Sequence, residues 1–383
     1  MFAKRRNNLR HLMQDKQIDG VLLDSPSNLY YYTGFTGGEA MFFMAVKGNA
    51  SENGEASGDG QESGYIITDS RYYEQVEKEC PELVLLKLEQ TGYGQVVKGL
   101  LDRIYGEKGR NQDGCMEKAC IAVEDTMQLA SYRRLSEACK DYSFPNASDS
   151  MNACRMVKDN VELTKLAKAE AIGDAAFSYI LDRIKPGITE TEIALELEFF
   201  MKRQGASRLS FDTIVASGSN SSMPHAQVTD RRVEKGDFVT MDFGCVYQGY
   251  CSDMTRTVAV GAPTEEMKKV YQIVLDANLR ALDSIREGIR CSEIDAVARD
   301  YIRACGYGAY FGHGLGHGVG LNIHEEPRFS PKCGVITREN MVITDEPGIY
   351  LPGRFGVRIE DLVVVKKEGY ETLSRSDKKL IIL

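Results

Sequence analysis

The run from Phe238 to Val258 limits the fold more than any other part of the chain. Two β-rich segments meet at Gln248-Gly249, a two-residue hairpin signal. That turn would pair Asp242 with Thr255 and Gly244 with Asp253. Side chains alternate along a strand, so Asp242 and Asp253 fall on one face as diagonal neighbours. Such neighbours lie about 7–8 Å apart at the backbone, with side chains able to converge. Two carboxylates so placed raise each other's pKa unless a cation lies between them. Two exposed aspartates are the plainer reading, but Asp242 stands inside an apolar strand.

A second segment, Gly312 to Glu325, holds three of the chain's five histidines, His313, His317 and His324. They alternate with glycines at 312, 314, 316, 318 and 320, which implies close backbone approach or unusual dihedrals. The cluster suits metal binding or acid–base work, yet its spacing is neither HExxH nor a zinc-finger pattern. In a third segment, Glu346 ends an apolar strand before Pro347-Gly348. Arg358 and Glu360 alternate with Val357 and Ile359, so they share one strand face. An unpaired charge there would be costly to bury. Divalent cations held by Asp242, Asp253, His317, Glu346 and Glu360 would remove that cost. Ordinary strand-end salt bridges, such as Arg358 with Glu360 or Asp361, are the alternative.

Around these segments the chain divides in two. Up to about residue 150, strand and helix patterns alternate. Helices are expected over Arg5–Lys16, Asp69–Cys80, Gly94–Tyr105 and Met127–Cys139, and strands over Gly20–Asp24, Leu83–Leu88 and Cys120–Val123. Ser25 to Asn28 reads as a turn. Met41–Val46 and Tyr65–Thr68 read as limbs of one hairpin. The polar stretch 49–64 between them reads as a flexible insertion. The alternation suggests a three-layer or doubly wound domain. From Asn160 a long helix runs to Ile184. Thr189 and Glu192 form a capping-box signature for the next helix, and two more are expected over Thr264–Glu287 and Cys291–Cys305. The tail from Phe311 is rich in strand and glycine.

A chain of 383 residues exceeds one ordinary core. It carries a net charge of −9 with no basic block, which argues against a nucleic-acid partner. No run of 18 apolar residues suggests a membrane span, and the first residues lack the apolar core of a secretory signal. The ten cysteines are scattered, without a CxxC pair, as expected of reduced thiols in a cytoplasmic protein. Cys245 and Cys251 flank the tight turn and could face each other.

The motifs MDFG, SDMTRT, GHGVGLNIHE, DEPGIY and GVRIED resemble the catalytic domain of the pita-bread metallopeptidases, the family of aminopeptidase P, prolidase and methionine aminopeptidase. The likeness covers about residues 155–383. Residues 1–150, through SNLYYYTGFTG and TDSRY, resemble the creatinase/prolidase N-terminal domain. The resemblance implies an α+β fold, with an α/β domain preceding the pita-bread domain. It implies two divalent ions, with Mn²⁺ favoured by four carboxylates and one histidine, and Zn²⁺, Co²⁺ or Fe²⁺ as alternatives. Asp253 and Glu360 would bridge the ions, Asp242 would chelate one, and His317 and Glu346 would complete the other. A hydroxide held between them would be the nucleophile, with Glu346 passing the proton to the leaving nitrogen. His324 would polarise the scissile carbonyl, His225 would contact substrate near the scissile bond, and His313 would line the proline pocket. Arg358 would support a ligand through a carboxylate, while Tyr350 is the weakest candidate and His11 reads as surface.

The implied activity is hydrolysis of the Xaa-Pro bond at the N-terminus of proline-containing peptides by a cytoplasmic homodimer. The ending Lys379–Leu383 resembles short aminopeptidase P proteins. A prolidase restricted to Xaa-Pro dipeptides is the nearest alternative. An inactive scaffold and a creatinase-like hydrolase are disfavoured, because the ligand set is complete.

Overall fold

The computed structural model describes residues 1–46, 64–89, 91–106 and 119–383. The insertion read at 49–64 therefore lies outside the described residues, apart from Gly64. The chain divides into two compact units, Met1–Cys154 and Arg155–Leu383.

The first unit contains α1 (Phe2–Asp15), β1 (Gly20–Leu23), α2 (Pro26–Thr33), β2 (Met41–Ala45), β3 (Tyr65–Thr68), α3 (Tyr73–Glu79), β4 (Val84–Lys87), α4 (Tyr93–Tyr105), β5 (Ile121–Ala122) and α5 (Leu129–Ala138); α6 (Ser148–Met156) runs through the division at Cys154. The expected turn at Ser25–Asn28 is the start of a helix. Ser25 caps α2 by accepting a hydrogen bond from the Asn28 amide, and Pro26 takes the first helical position, where its missing N–H costs nothing. The sheet is mixed, in order β4-β3-β2-β1-β5, rather than doubly wound. The β2–β3 hairpin read from sequence is present, and it sets β2 antiparallel to both neighbours while β1–β5 and β3–β4 run parallel. His11 is exposed on α1, as expected.

The second unit contains α7 (Asn160–Leu181), α8 (Glu190–Arg203), β6 (Arg208–Leu209), β7 (Ile214–Ser217), β8 (Phe238–Phe243), β9 (Cys245–Tyr247), β10 (Tyr250–Cys251), β11 (Met254–Ala259), α9 (Glu265–Ser284), α10 (Cys291–Ala304), β12 (Gly316–Gly318), β13 (Glu325–Phe329), β14 (Val342–Asp345), β15 (Gly348–Leu351), β16 (Phe355–Arg358), β17 (Asp361–Lys366) and β18 (Gly369–Thr372). Capping boxes start both leading helices: Asp159 with Glu162 for α7, and Thr189 with Glu192 for α8. Two helix pairs cover two sheets. Ile172, Phe177 and Leu197 of α7–α8 pack on Met241, Phe243 and Met254 of the β11-β8-β7 sheet. Val270, Val274, Ile294 and Ala298 of α9–α10 pack with Phe329, Ile343 and Val363 of the β13-β12-β14-β17-β18 sheet. No helix among the described residues is long and apolar enough to cross a membrane.

Candidate active site

The β8–β11 ladder has the register read from sequence, with Asp242 opposite Thr255 and Phe243 opposite Met254. Beyond it, β9 and β10 pair Tyr247 with Tyr250 around a turn in which Gln248 and Gly249 both take positive φ, 48° and 89°. That is the geometry of a type I′ hairpin. Between the two ladders the chain pinches. A Cβ on Gly244 would stand 2.0 Å from the Ser252 carbonyl oxygen. The Asp253 amide leaves the ladder and donates to Glu170 Oε2 at 3.2 Å. Cys245 and Cys251 are buried free thiols.

Glycines also explain how β12 presents His317. A Cβ on Gly316 would lie 1.9 Å from the Thr344 carbonyl oxygen, so only glycine lets β12 approach β14 this closely. The His317 amide donates to Thr344 Oγ1 at 3.0 Å, and its Nδ1 lies 3.1 Å from the Gly318 carbonyl oxygen. A carbonyl accepts only, so the proton belongs on Nδ1 and Nε2 keeps its lone pair. That Nε2 stands 3.5 Å from Asp253 Oδ2 and 3.5 Å from Glu346 Oε1.

The remaining carboxylates reach the same point from separate loops. Glu346 follows β14 and accepts from Thr344 Oγ1 at 3.3 Å. Glu360, between β16 and β17, accepts from Thr255 Oγ1 at 2.6 Å. The salt bridges of Arg358 with Glu360 or Asp361 do not form. Arg358 Nη2 instead donates to Asp242 Oδ2 at 2.5 Å, and its Nη1 donates to the Tyr350 hydroxyl at 2.8 Å. Asp361 is held by Arg256 and Lys378. Tyr350, the weaker candidate from sequence, links two others: its hydroxyl also lies 3.1 Å from His313 Nε2.

Nine of the ten singled-out residues line one cleft of about 450 Å³: His225, Asp242, Asp253, His313, His317, His324, Glu346, Arg358 and Glu360. Tyr350 stands behind them, on Arg358 and His313. The His317 and His324 rings meet edge to face at 4.5 Å. The His324 loop is anchored by buried Glu325, which Arg155 and Lys158 pair and which accepts from the Asn322 amide at 3.0 Å. Phe211, Asp212, Ile214, Ile323, Arg328 and Ser330 also line the cleft. The sequence reading missed them, because they come from separate strands and loops that only the tertiary fold brings to one cleft.

The electrostatics are those of a site suited to a cation. Burial, reinforced by Glu360, Asp242 and Glu346, pushes Asp253 well above the usual carboxylate range. Burial and then Glu346 and Asp242 do the same to Glu360. Glu346 rises to about 8 through removal from water, with Asp242 adding and Arg358 opposing. Burial holds His317 down at about 3 and His313 at about 4, so both are neutral near pH 7. Ligand atoms of Asp253, His317 and Glu360 all lie within 4.8 Å of one another. Asp242 Oδ1 is buried without a hydrogen-bond partner. Clustered buried carboxylates, a neutral imidazole with a free lone pair and an orphaned carboxylate oxygen together suit a hard divalent ion.

The profile of metallopeptidase family M24 matches residues 164–367, and that of the creatinase/prolidase N-terminal domain matches residues 5–157. The chain is 35% identical over 380 residues to an Xaa-Pro dipeptidase of Pyrococcus furiosus, covering 99% of this chain and 100% of that protein. Its fold matches the solved Xaa-Pro dipeptidase from Bacillus anthracis with a TM-score of 0.89 at 38% identity, covering 100% of each chain. It also matches an X-Pro aminopeptidase from Thermotoga maritima, with a TM-score of 0.82 at 37% identity over 96% of this chain and 98% of that one.

Proposed function

The chain belongs to metallopeptidase family M24 and carries its creatinase-type N-terminal domain, and from that premise we propose that it is an Xaa-Pro dipeptidase. The sequence reading puts cleavage of longer peptides first. The dipeptidase relatives favour the order reversed, with the aminopeptidase as the second reading. The observation that carries the metallopeptidase reading is the convergence of Asp253, His317 and Glu360 within 4.8 Å beneath the cleft.

In this reading Asp242, Asp253, His317, Glu346 and Glu360 hold two divalent ions, with Mn²⁺ favoured by the oxygen-rich donor set. Ions bound there lower the pKa of water toward neutrality and offset the crowded negative charge. Glu346 accepts the proton of the attacking water and delivers it to the prolyl nitrogen, which cannot leave as an anion. His324 and His225 face the same cleft and donate toward the scissile carbonyl oxygen as its charge develops. Arg358 orients Asp242 through its hydrogen bond while Tyr350 locks the guanidinium. His313, neutral and packed against Tyr350 with ring centroids 5.6 Å apart, forms a wall for the proline ring. Arg328 gives the cleft a second cation, suited to the free carboxylate of a dipeptide. We also propose a cytoplasmic homodimer. The cysteines named among the described residues are all free, which suits a reducing compartment, and the dimer follows from the family likeness alone.

The test supplies metal-stripped, Mn²⁺-reloaded protein with Met-Pro and with Met-Pro-Ala, using Asp242→Asn as the blank. Cleavage of Met-Pro alone supports the dipeptidase. Cleavage of the tripeptide supports the second reading. Inertness toward both, with metal bound, overturns the proline assignment.

A further inference from the structure

Beside the cleft lies a second cavity, of about 510 Å³, and the two share Asp212, Ile214 and His225 in their walls. The catalytic reading makes no use of it. One face of α8 supplies one side, with Thr191, Ala194, Leu195 and Glu198 at helical spacing. The stretch Asp212–Ile214 and the segment from His225 to Val228 supply the rest. The wall is amphipathic. Ala194, Leu195, Ile214 and Val228 give it an apolar body, and two carboxylates stand in the same wall, Glu198 on α8 and Asp212 where the two cavities meet. No arginine or lysine lines it. Thr213, 5% exposed, sits in the same wall with a hydroxyl that makes no hydrogen bond.

That combination matches a long aliphatic stem ending in a cation. It also decides which end of the substrate can enter. An Xaa-Pro dipeptide carries its carboxylate on the prolyl side. The annex offers that group only like charge, whereas Arg328 and Arg358 line the main cleft. We propose that the annex receives the side chain of the residue preceding proline, and that Glu198 and Asp212 select arginine or lysine there. The inference rests on the Xaa-Pro reading and extends it to the choice of Xaa.

The experiment compares kcat/KM for Arg-Pro, citrulline-Pro and Met-Pro in Mn²⁺-loaded protein. Citrulline keeps the shape of arginine without its charge. A preference of about tenfold for Arg-Pro over citrulline-Pro is expected, the scale of one charge-assisted hydrogen bond. Glu198→Gln and Asp212→Asn should each shrink that ratio, and the double variant should abolish it. Met-Pro turnover reports separately whether each variant is folded and active. Equal kcat/KM for Arg-Pro and citrulline-Pro, with Met-Pro cleaved, overturns the annex inference alone. A ratio that survives the double variant overturns it equally. Failure to cleave any Xaa-Pro dipeptide overturns the dipeptidase reading and the annex inference with it.

Discussion

At the scale of single residues, the site is a set of carboxylates that the fold holds close against their own repulsion. The metal-free protein should carry that penalty as a pH dependence. Glu346 has a folded-state pKa of about 8 against an ordinary 4.5, so its folded form binds the proton more tightly. Asp253 and Glu360 shift the same way. Their protonated forms favour the fold fully below the ordinary values, 3.8 for Asp253 and 4.5 for the two glutamates, and for Glu346 that contribution is lost as pH rises through about 8. Chelated protein should therefore melt at progressively lower temperature between pH 5 and 8. Divalent metal should reduce the slope, because a bound cation replaces the proton. Part of the slope should persist, since Glu170, also raised to about 8 by burial, holds the Asp253 amide and the Ser374 hydroxyl from outside the ligand set. Melting curves with and without chelator across that range check this, and identical slopes would contradict it. Arg358 gives a second prediction at this scale. Arg358→Met should lower kcat and weaken metal binding on the order of 10–100-fold, the usual cost of losing a group that orients a ligand. Arg358→Lys should rescue it only in part, because a lysine cannot reach Asp242, Tyr350 and Thr255 together.

At the scale of elements, the capping box of α8 and the glycines were read from sequence, whereas the Asp159–Glu162 box of α7 was not. Thr189 and Glu192 announce the start of α8 in their own side chains, and the hydrogen bonds are those expected. Thr189→Ala should cost about 1 kcal/mol, seen as a lower denaturation midpoint with activity retained. Gly316 is a harsher case. Its missing Cβ is what lets β12 pair beside Thr344, so Gly316→Ala should destabilise by about 1–3 kcal/mol and displace His317. Calorimetry and bound metal should fall together, and a variant that loses neither would show that β12 can shift cheaply. The hairpin reading gave the antiparallel pairing of β2 with β3, but not that of β2 with β1, because alternating strand and helix patterns suggest parallel winding.

At the scale of the whole molecule, the catalytic unit gathers its proposed ligands from β8, β12 and the loops after β10, β14 and β16. Metal bound among them should stabilise the fold by mass action, about 2.7 kcal/mol at a hundredfold excess over Kd. The melting temperature should climb with Mn²⁺ concentration, and the Asp242→Asn protein should respond less. A melting temperature indifferent to Mn²⁺ would argue against the site. By itself the sequence determined what is local. The hairpin register that sets Asp242 against Thr255 and the start of α8 follow from spacing and residue type, while the choice of residues such as His225 came from the family likeness of the motifs. Tertiary structure alone decided who meets whom across the chain. It turned Arg358 to Asp242 instead of its neighbours Glu360 and Asp361, joined Tyr350 to His313, and set an acidic annex beside the cleft. Those choices depend on side chains far apart in sequence competing for the same buried space, and no local pattern encodes the winner.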